Sequence, residues 1–293
     1  MISIIGSNIE EVYPFLHKIK ADCDVELYID TQEYNHSTNA KKVYIQCEPF
    51  AIQPQKEFLH VYQSKYDAII CHYAAQFSQT SLAISYYPSC TWIEPRYYES
   101  VNIEEKLFKI SHMSGYKDFT VGHRVRKDLY MNQMELQDFP IIFFRSSIQP
   151  HLPYINCNPF ISEETSATDH EGISRTAKVV LFTNFQFSIV IENTREINYI
   201  SEKIIDCLLM KTIPIYYGCE NIHDIFDTTG WIILETTEST HKELRTKLQD
   251  IDESYYAMYK DVIEKNYETA KKYASYAKNL CDALVKLPFI HYS

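Results

Sequence analysis

Short runs of β-branched and aromatic residues, separated by polar stretches, set the rhythm of this chain. Met1 to Ile5 is the first, followed by Val25 to Ile29, Val43 to Gln46 and Ala68 to Cys71, each the length of a strand buried on both faces. After the first run, Ser7-Asn8 with Glu10 and Glu11 offers an N-cap and acids for a first turn, so a helix is expected there. Periodicity fades around Pro95 to Glu105 and resumes at Leu107 to Ile110. Further strands are expected at Ile141 to Phe144, Phe187 to Ile191, Ile213 to Tyr217 and Trp231 to Leu234. Ile200, Ile204, Ile205, Leu208 and Leu209 recur at helical spacing and predict a helix from about Ile200 to Met210. From Lys242 onward the period is again helical, with Tyr255, Tyr259, Val262 and Tyr267 as inward positions. Pro150 to Lys178 has no clear period and reads as a long surface loop or insertion. Strands alternating with helices are the pattern of parallel sheets covered by helices. The expected fold is therefore α/β with two Rossmann-like lobes, residues 1–104 and 105–250, and a helical segment 251–293 packing back on the lobes.

Composition narrows what such a fold can do. The chain has 293 residues, 45% hydrophobic and 23% charged, enough for a sizeable core in each lobe. Its formal net charge of -11 argues against a nucleic-acid binder, whose affinity rests on a basic field. With 6 glycines in the whole chain, a glycine-laddered phosphate loop is not expected. The eight cysteines stand singly, without C-x-x-C pairs or metal-ligand spacing, as reduced thiols in a cytosol-like compartment do. No apolar run is long enough to span a bilayer, and no basic segment precedes an apolar stretch at the start. The expectation is a protein with no membrane span, in the cytoplasm of a bacterial cell or a virus-infected host.

The candidate chemistry lies where the expected strand Phe187 to Ile191 ends in Glu192-Asn193. Open α/β sheets hold ligands outside the carboxyl ends of their strands. Tyr199, Ser201, Glu202 and Lys203 follow at the start of the next helix, and a helix N-terminus with a lysine suits a diphosphate. An isolated Glu-Lys pair is ordinarily a solvated couple on a helix face. Here Tyr199-Ile-Ser201-Glu202-Lys203 follows a Glu-Asn strand end and precedes Thr212-Ile-Pro-Ile-Tyr-Tyr-Gly218. That block, about fifty residues from Phe185 to Leu234, resembles the signature of the α1,3-fucosyltransferases, glycosyltransferase family 10. Two weaker blocks stand in the matching order. Lys42 to Glu48 is similar to the family's strand ending in a glutamate, although Cys47 and Pro49 replace the usual glycine and asparagine. Lys109-Ile110-Ser111 with Gly122-His123-x-x-Arg126 looks like the family's strand-loop-helix, with Ser-His in place of Ser-Asn after the strand.

The resemblance implies a GT-B fold, two Rossmann-like lobes with a donor cleft between them, and an inverting sugar transfer from a nucleotide sugar to a glycan hydroxyl. It implies GDP-fucose as donor, no metal and no other cofactor. By the same resemblance Glu48 is the base and Glu202 a second catalytic group that faces the sugar or binds ribose. Arg126, or Arg124 two residues earlier, contacts the diphosphate with Lys203, while Glu192, Asn193, Tyr199 and Ser201 complete the donor site. Asp22-Cys23-Asp24 is read as an early helix-to-strand connection, not a metal clamp. His123 is read as structural. A UDP-sugar donor, and a non-catalytic glycan- or nucleotide-binding protein, remain as alternative readings.

Overall fold

The computed structural model describes residues 1–6, 13–52, 61–77, 82–145 and 178–293. The helix expected after Ser7-Asn8 and most of the loop expected at Pro150 to Lys178 lie outside them. The described chain forms two compact units, each built on a five-stranded parallel sheet.

The first unit comprises residues 1–90, 196–201 and 273–293. Its sheet contains β1 (Ile2–Gly6), β3 (Val25–Ile29), β4 (Lys41–Ile45), β5 (Ala68–Cys71) and β6 (Ala83–Ser85), in that order and all parallel. A separate short strand, β2 (Ile19–Ala21), pairs antiparallel with Ile290–Tyr292. β3 and β5 are buried along their whole length, as continuous apolar runs require. The period of two sorts their side chains onto two faces. Leu27, Ile29, Val43 and Ile45 pack with Leu280 and Leu284 of the helix Tyr276–Leu284. Tyr28 and Tyr44 pack on the other face around Tyr66, with ring centroids 5.7 and 5.3 Å from it, edge-on. Part of the chain's tyrosine is thus core, and Tyr28 donates to Glu26 at 2.6 Å. The exposed Asp22-Cys23-Asp24 lies between two strands, β2 and β3, rather than after a helix, and Asp24 binds the terminal amine at 2.9 Å.

The second unit comprises residues 91–195 and 202–272. Its strands are β7 (Leu107–Ser114), β8 (Ile141–Arg145), β9 (Phe185–Ile191), β10 (Ile213–Tyr217) and β11 (Ile232–Ile233), ordered β11-β10-β9-β7-β8 and all parallel. Helix α1 (Val121–Met131) joins β7 to β8 and α2 (Glu202–Leu209) joins β9 to β10, with α3 (Thr240–Lys247) and α4 (Lys260–Ala270) following. Val125 and Leu129 of α1 share one core with Phe187, Ile189, Ile213 and Ile215. Ile204, Ile205, Leu208 and Leu209 of α2 are all buried, as their spacing predicts.

The compact units divide at 90/91 and 272/273, where periodicity places divisions at 104/105 and 250/251. The cause lies partly on α2. Its fully buried Asp206 accepts hydrogen bonds from Thr91 Oγ1 at 2.7 Å and Trp92 N at 2.9 Å, which ties the irregular stretch after residue 90 to the second unit. Within the tail, α4 packs in the second unit while Tyr276–Leu284 fills the core of the first.

Candidate active site

Strand β9 is the middle strand of its sheet, and its buried run continues into Glu192, which is fully buried although acidic. Glu192 N donates to Tyr217 O at 2.8 Å, extending the ladder beyond the strand's last pair. Two glycines let neighbours close on this strand end. A Cβ on Gly122 would lie 1.8 Å from the Glu192 carbonyl oxygen, and one on Gly218 would lie 2.6 Å from Glu192 Cγ. Gly122 N donates to Asn193 O at 3.0 Å, so the first turn of α1 rests directly on the strand end. One turn further along α1, Arg126 donates to Asn193 Oδ1 at 2.9 Å and to the Ile191 carbonyl.

From the other side comes the start of α2. Lys203 Nζ lies 3.1 Å from Glu202 Oε1 and 3.8 Å from Glu192 Oε2, with a quarter of its side chain still exposed. Arg126, Glu192, Asn193, Glu202 and Lys203 therefore converge at one strand end of the second unit. The positive potential there registers on His123. Burial first, then the charges of Arg126, Lys117 and Lys203, push its pKa down to about 3. His123 itself closes a capping box with Thr120 at the start of α1, a structural role. Arg124 is set apart. It is exposed, and its guanidinium donates to the Asp118 carbonyl at 3.3 Å.

Tyr199 and Ser201 fall in the short stretch 196–201, which packs with the first unit. The Tyr199 ring stands edge-on to His72, 5.5 Å between centroids. His72, the residue after β5, has its Nε2 2.7 Å from Glu196 Oε2, and Glu196 also accepts the amides of Phe50 and Ala51 at 3.2 and 3.3 Å. Burial alone would raise the Glu196 pKa, but the hydrogen bond and charge of His72, with the two amides, hold it below the ordinary range.

Glu48, half-buried in the first unit, sits just past β4. Its backbone is held by Asp30, the residue after β3, whose two carboxylate oxygens accept Cys47 N at 3.0 Å and Glu48 N at 3.2 Å. Burial pushes the Asp30 carboxyl up to about 7, against those two hydrogen bonds and with help from the charge of Glu48. Cys47 Sγ lies 2.6 Å from Tyr276 Oη, and burial raises its thiol well above the ordinary value, so it is a neutral packing group rather than a nucleophile. Among the described residues, no group of three or more His, Cys, Asp or Glu side chains is placed to hold a metal ion. No helix among them is long and apolar enough to cross a membrane.

Sequence reading had not singled out Asp30, His72, Glu196, Lys178 or Asp206. Asp30 and His72 each follow a buried strand directly, the signal that did pick out Glu192. Glu196 and Lys178 carry no such signal.

Residues 161–289 match the model described as glycosyltransferase family 10 (fucosyltransferase) C-term. No curated protein sequence matches the chain. Among solved structures, an α1,3-fucosyltransferase is similar at 14% identity over 97% of this chain and 88% of its own, with a TM-score of 0.49. A UDP-forming α,α-trehalose-phosphate synthase from Burkholderia vietnamiensis is similar at 10% identity over 90% of this chain and 72% of its own, TM-score 0.51. The corresponding synthase from Burkholderia multivorans gives 10%, 94%, 74% and 0.51. At these identities, the likeness to the synthases establishes the fold alone, the two Rossmann-like lobes of a GT-B glycosyltransferase.

Proposed function

From the match of residues 161–289 to the family-10 model, we propose that the chain is a glycosyltransferase that transfers L-fucose from GDP-fucose to a hydroxyl of a glycan acceptor, with inversion. The observation that carries this reading is the strand end where Arg126 and Lys203 flank Glu192-Asn193, of which Glu192, Asn193 and Lys203 lie inside the block that the family model matches. A nucleoside diphosphate sugar presents two phosphates, and a guanidinium and an ammonium brought from two helices to one strand end are complementary to them. As the glycosidic C–O bond breaks, its electron pair leaves with the diphosphate. Arg126 and Lys203 stabilise that developing charge, a role in which loss of one donor typically costs on the order of a hundredfold or more in turnover. The acceptor oxygen attacks the anomeric carbon from the opposite face and its proton passes to the Glu48 carboxylate. Glu202 faces the positive sugar ring or the ribose. Tyr199, Ser201, Asn193 and Glu192 complete the donor's surroundings. The reading needs no metal.

The test is thermal unfolding of the full chain with GDP, UDP, CMP and their common sugar conjugates, with and without a chelator, since a ligand of the native state raises its apparent stability. Selective stabilisation by GDP and GDP-fucose, indifferent to chelator, is the expected result. Preference for UDP would overturn the donor, and silence toward every nucleotide would overturn the enzyme.

A further inference from the structure

Behind the start of α2 the charges continue inward, past the residues that a diphosphate would touch. Lys178 is buried, its side chain 9% exposed. Its ammonium lies 3.2 Å from Asp206 Oδ2, 3.4 Å from Glu202 Oε1 and 4.0 Å from the centroid of the Trp92 ring. Carboxylates on two sides and an aromatic face on a third fix its position. Asp206 is anchored in turn, its other oxygen accepting Thr91 Oγ1 and Trp92 N. Burial raises the Asp206 carboxyl, and the charge of Lys178 with those hydrogen bonds works to keep it ionised.

The arrangement matters because of Glu202 Oε1. That single oxygen faces Lys178 at 3.4 Å and Lys203 at 3.1 Å, while Lys203 also faces the buried Glu192 at 3.8 Å. Lys203 is thus drawn by two carboxylates of the protein before any ligand arrives. A diphosphate must win it from them. A second, immobile ammonium on Glu202 weakens that competition, because a carboxylate already neutralised on its inner side gives up its outer partner at lower cost.

We propose that Lys178 is a positioning residue of the donor site, holding and neutralising Glu202 so that Lys203 is available to the donor's diphosphate. The inference rests on the donor-site reading above and adds to it a residue outside the Tyr199 to Lys203 block. Asp206, Thr91 and Trp92 are the mount that keeps Lys178 in place.

GDP binding to the full chain, measured by titration calorimetry, separates the possibilities. Lys178→Met is expected to weaken GDP about tenfold, the factor that ~1.4 kcal/mol represents. Lys178→Arg, which keeps the charge, is expected to restore most of that loss. The deciding variant is Lys178→Met combined with Glu202→Gln. With Glu202 neutral, Lys203 has lost that competitor, so the double variant should bind GDP as Glu202→Gln alone does. Unchanged binding in Lys178→Met overturns the inference, as does a double variant in which the two losses simply multiply. Should Lys178→Met not fold, Thr91→Val loosens the same mount from one step away. Its loss of GDP affinity should likewise vanish when combined with Glu202→Gln, and persistence of the loss would overturn the inference. A wild-type chain that binds no GDP removes the donor reading itself, and this inference with it.

Discussion

Along the carboxyl edge of the first unit's sheet, titratable groups meet one another through hydrogen bonds. Asp30 sits near neutrality under the Glu48 backbone, Cys47 meets Tyr276, and His72 meets Glu196. Along the same edge of the second unit's sheet, cationic side chains meet amide and carboxyl groups: Arg126 on Asn193, and Lys203 and Lys178 among Glu192, Glu202 and Asp206. One fold therefore carries two kinds of electrostatics at equivalent places. A group with a pKa near the working pH, as Asp30 has, suits the movement of a proton. Guanidinium and ammonium groups suit the holding of a polyanion. The division matches the proposed split between base and donor site, and it can be broken experimentally from either side.

The largest effect belongs to Glu48→Gln. Transfer should fall by about a hundredfold or more, the usual worth of a general base, while GDP binding stays as in the wild type. Turnover rates and calorimetric affinities measured side by side check this. Unchanged turnover would remove Glu48 as the base, and a parallel loss of GDP affinity would erase the division between the two edges.

Next comes the pH dependence of stability. Asp30 titrates at about 7 in the folded chain against an ordinary value of 3.8, so the folded state keeps a proton that the unfolded state releases. The stability this confers is present in full below pH 4 and is lost as pH rises from about 4 to about 7. The loss is on the order of 4 kcal/mol. Denaturant unfolding at pH 5 and pH 8 should show wild type losing stability where Asp30→Asn loses markedly less. Equal slopes in the two proteins would mean that Asp30 is an ordinary carboxylate.

The smallest effect sharpens the description of the second edge. Gly122→Ala drives a Cβ against the Glu192 carbonyl, which is backbone and cannot swing aside. A cost of about 1–3 kcal/mol is expected from such overpacking. It should appear as a lower melting temperature together with weaker GDP binding. Ordinary stability with ordinary binding would show that the start of α1 does not need to lie so close to β9.

How much of this was legible in advance depended on whether the determinants were local. Val25–Ile29, Ala68–Cys71 and Ile213–Tyr217 begin and end where expected, because burial on both faces selects apolar residues, and Glu26, the acid inside the first of them, accepts a hydrogen bond from Tyr28 at 2.6 Å. β7 runs through Ser114, past the expected end at Ile110, with polar residues that find partners on a neighbouring strand and on α1. Ser111 donates to Ser188 at 2.8 Å, and His112 Nε2 lies 3.1 Å from the Arg126 carbonyl. Periodicity cannot foresee such pairs. Ile19–Ala21, Ala83–Ser85 and Ile290–Tyr292 are too short to show a period at all.

The candidate site divides in the same way. Glu192 to Lys203 was legible because its residues are nearly contiguous and fall at the junction of a strand and a helix. Lys178 stands 24 residues from Glu202, and His72 stands 124 from Glu196. Nothing in the sequence links either pair, since their association is a product of the folded sheet ends. Arg124 and Arg126 looked interchangeable on paper, and helix geometry separates them, because residues two apart on a helix do not share a face.

The hexapeptide 196–201 between β9 and α2 has a consequence for how such a protein can be inherited and rebuilt. The first unit is assembled from three stretches of chain and the second from two, so no single cut of the polypeptide, and no single crossover between two genes, exchanges one unit whole. A chimera that imports β9 and α2 from a relative also imports six residues belonging to the other unit, including Glu196, the partner of His72. The second unit's strand end and the first unit's own packing are therefore genetically coupled, and grafts in this scaffold need to keep residues 196–201 native to the first unit's sequence or replace His72 along with them.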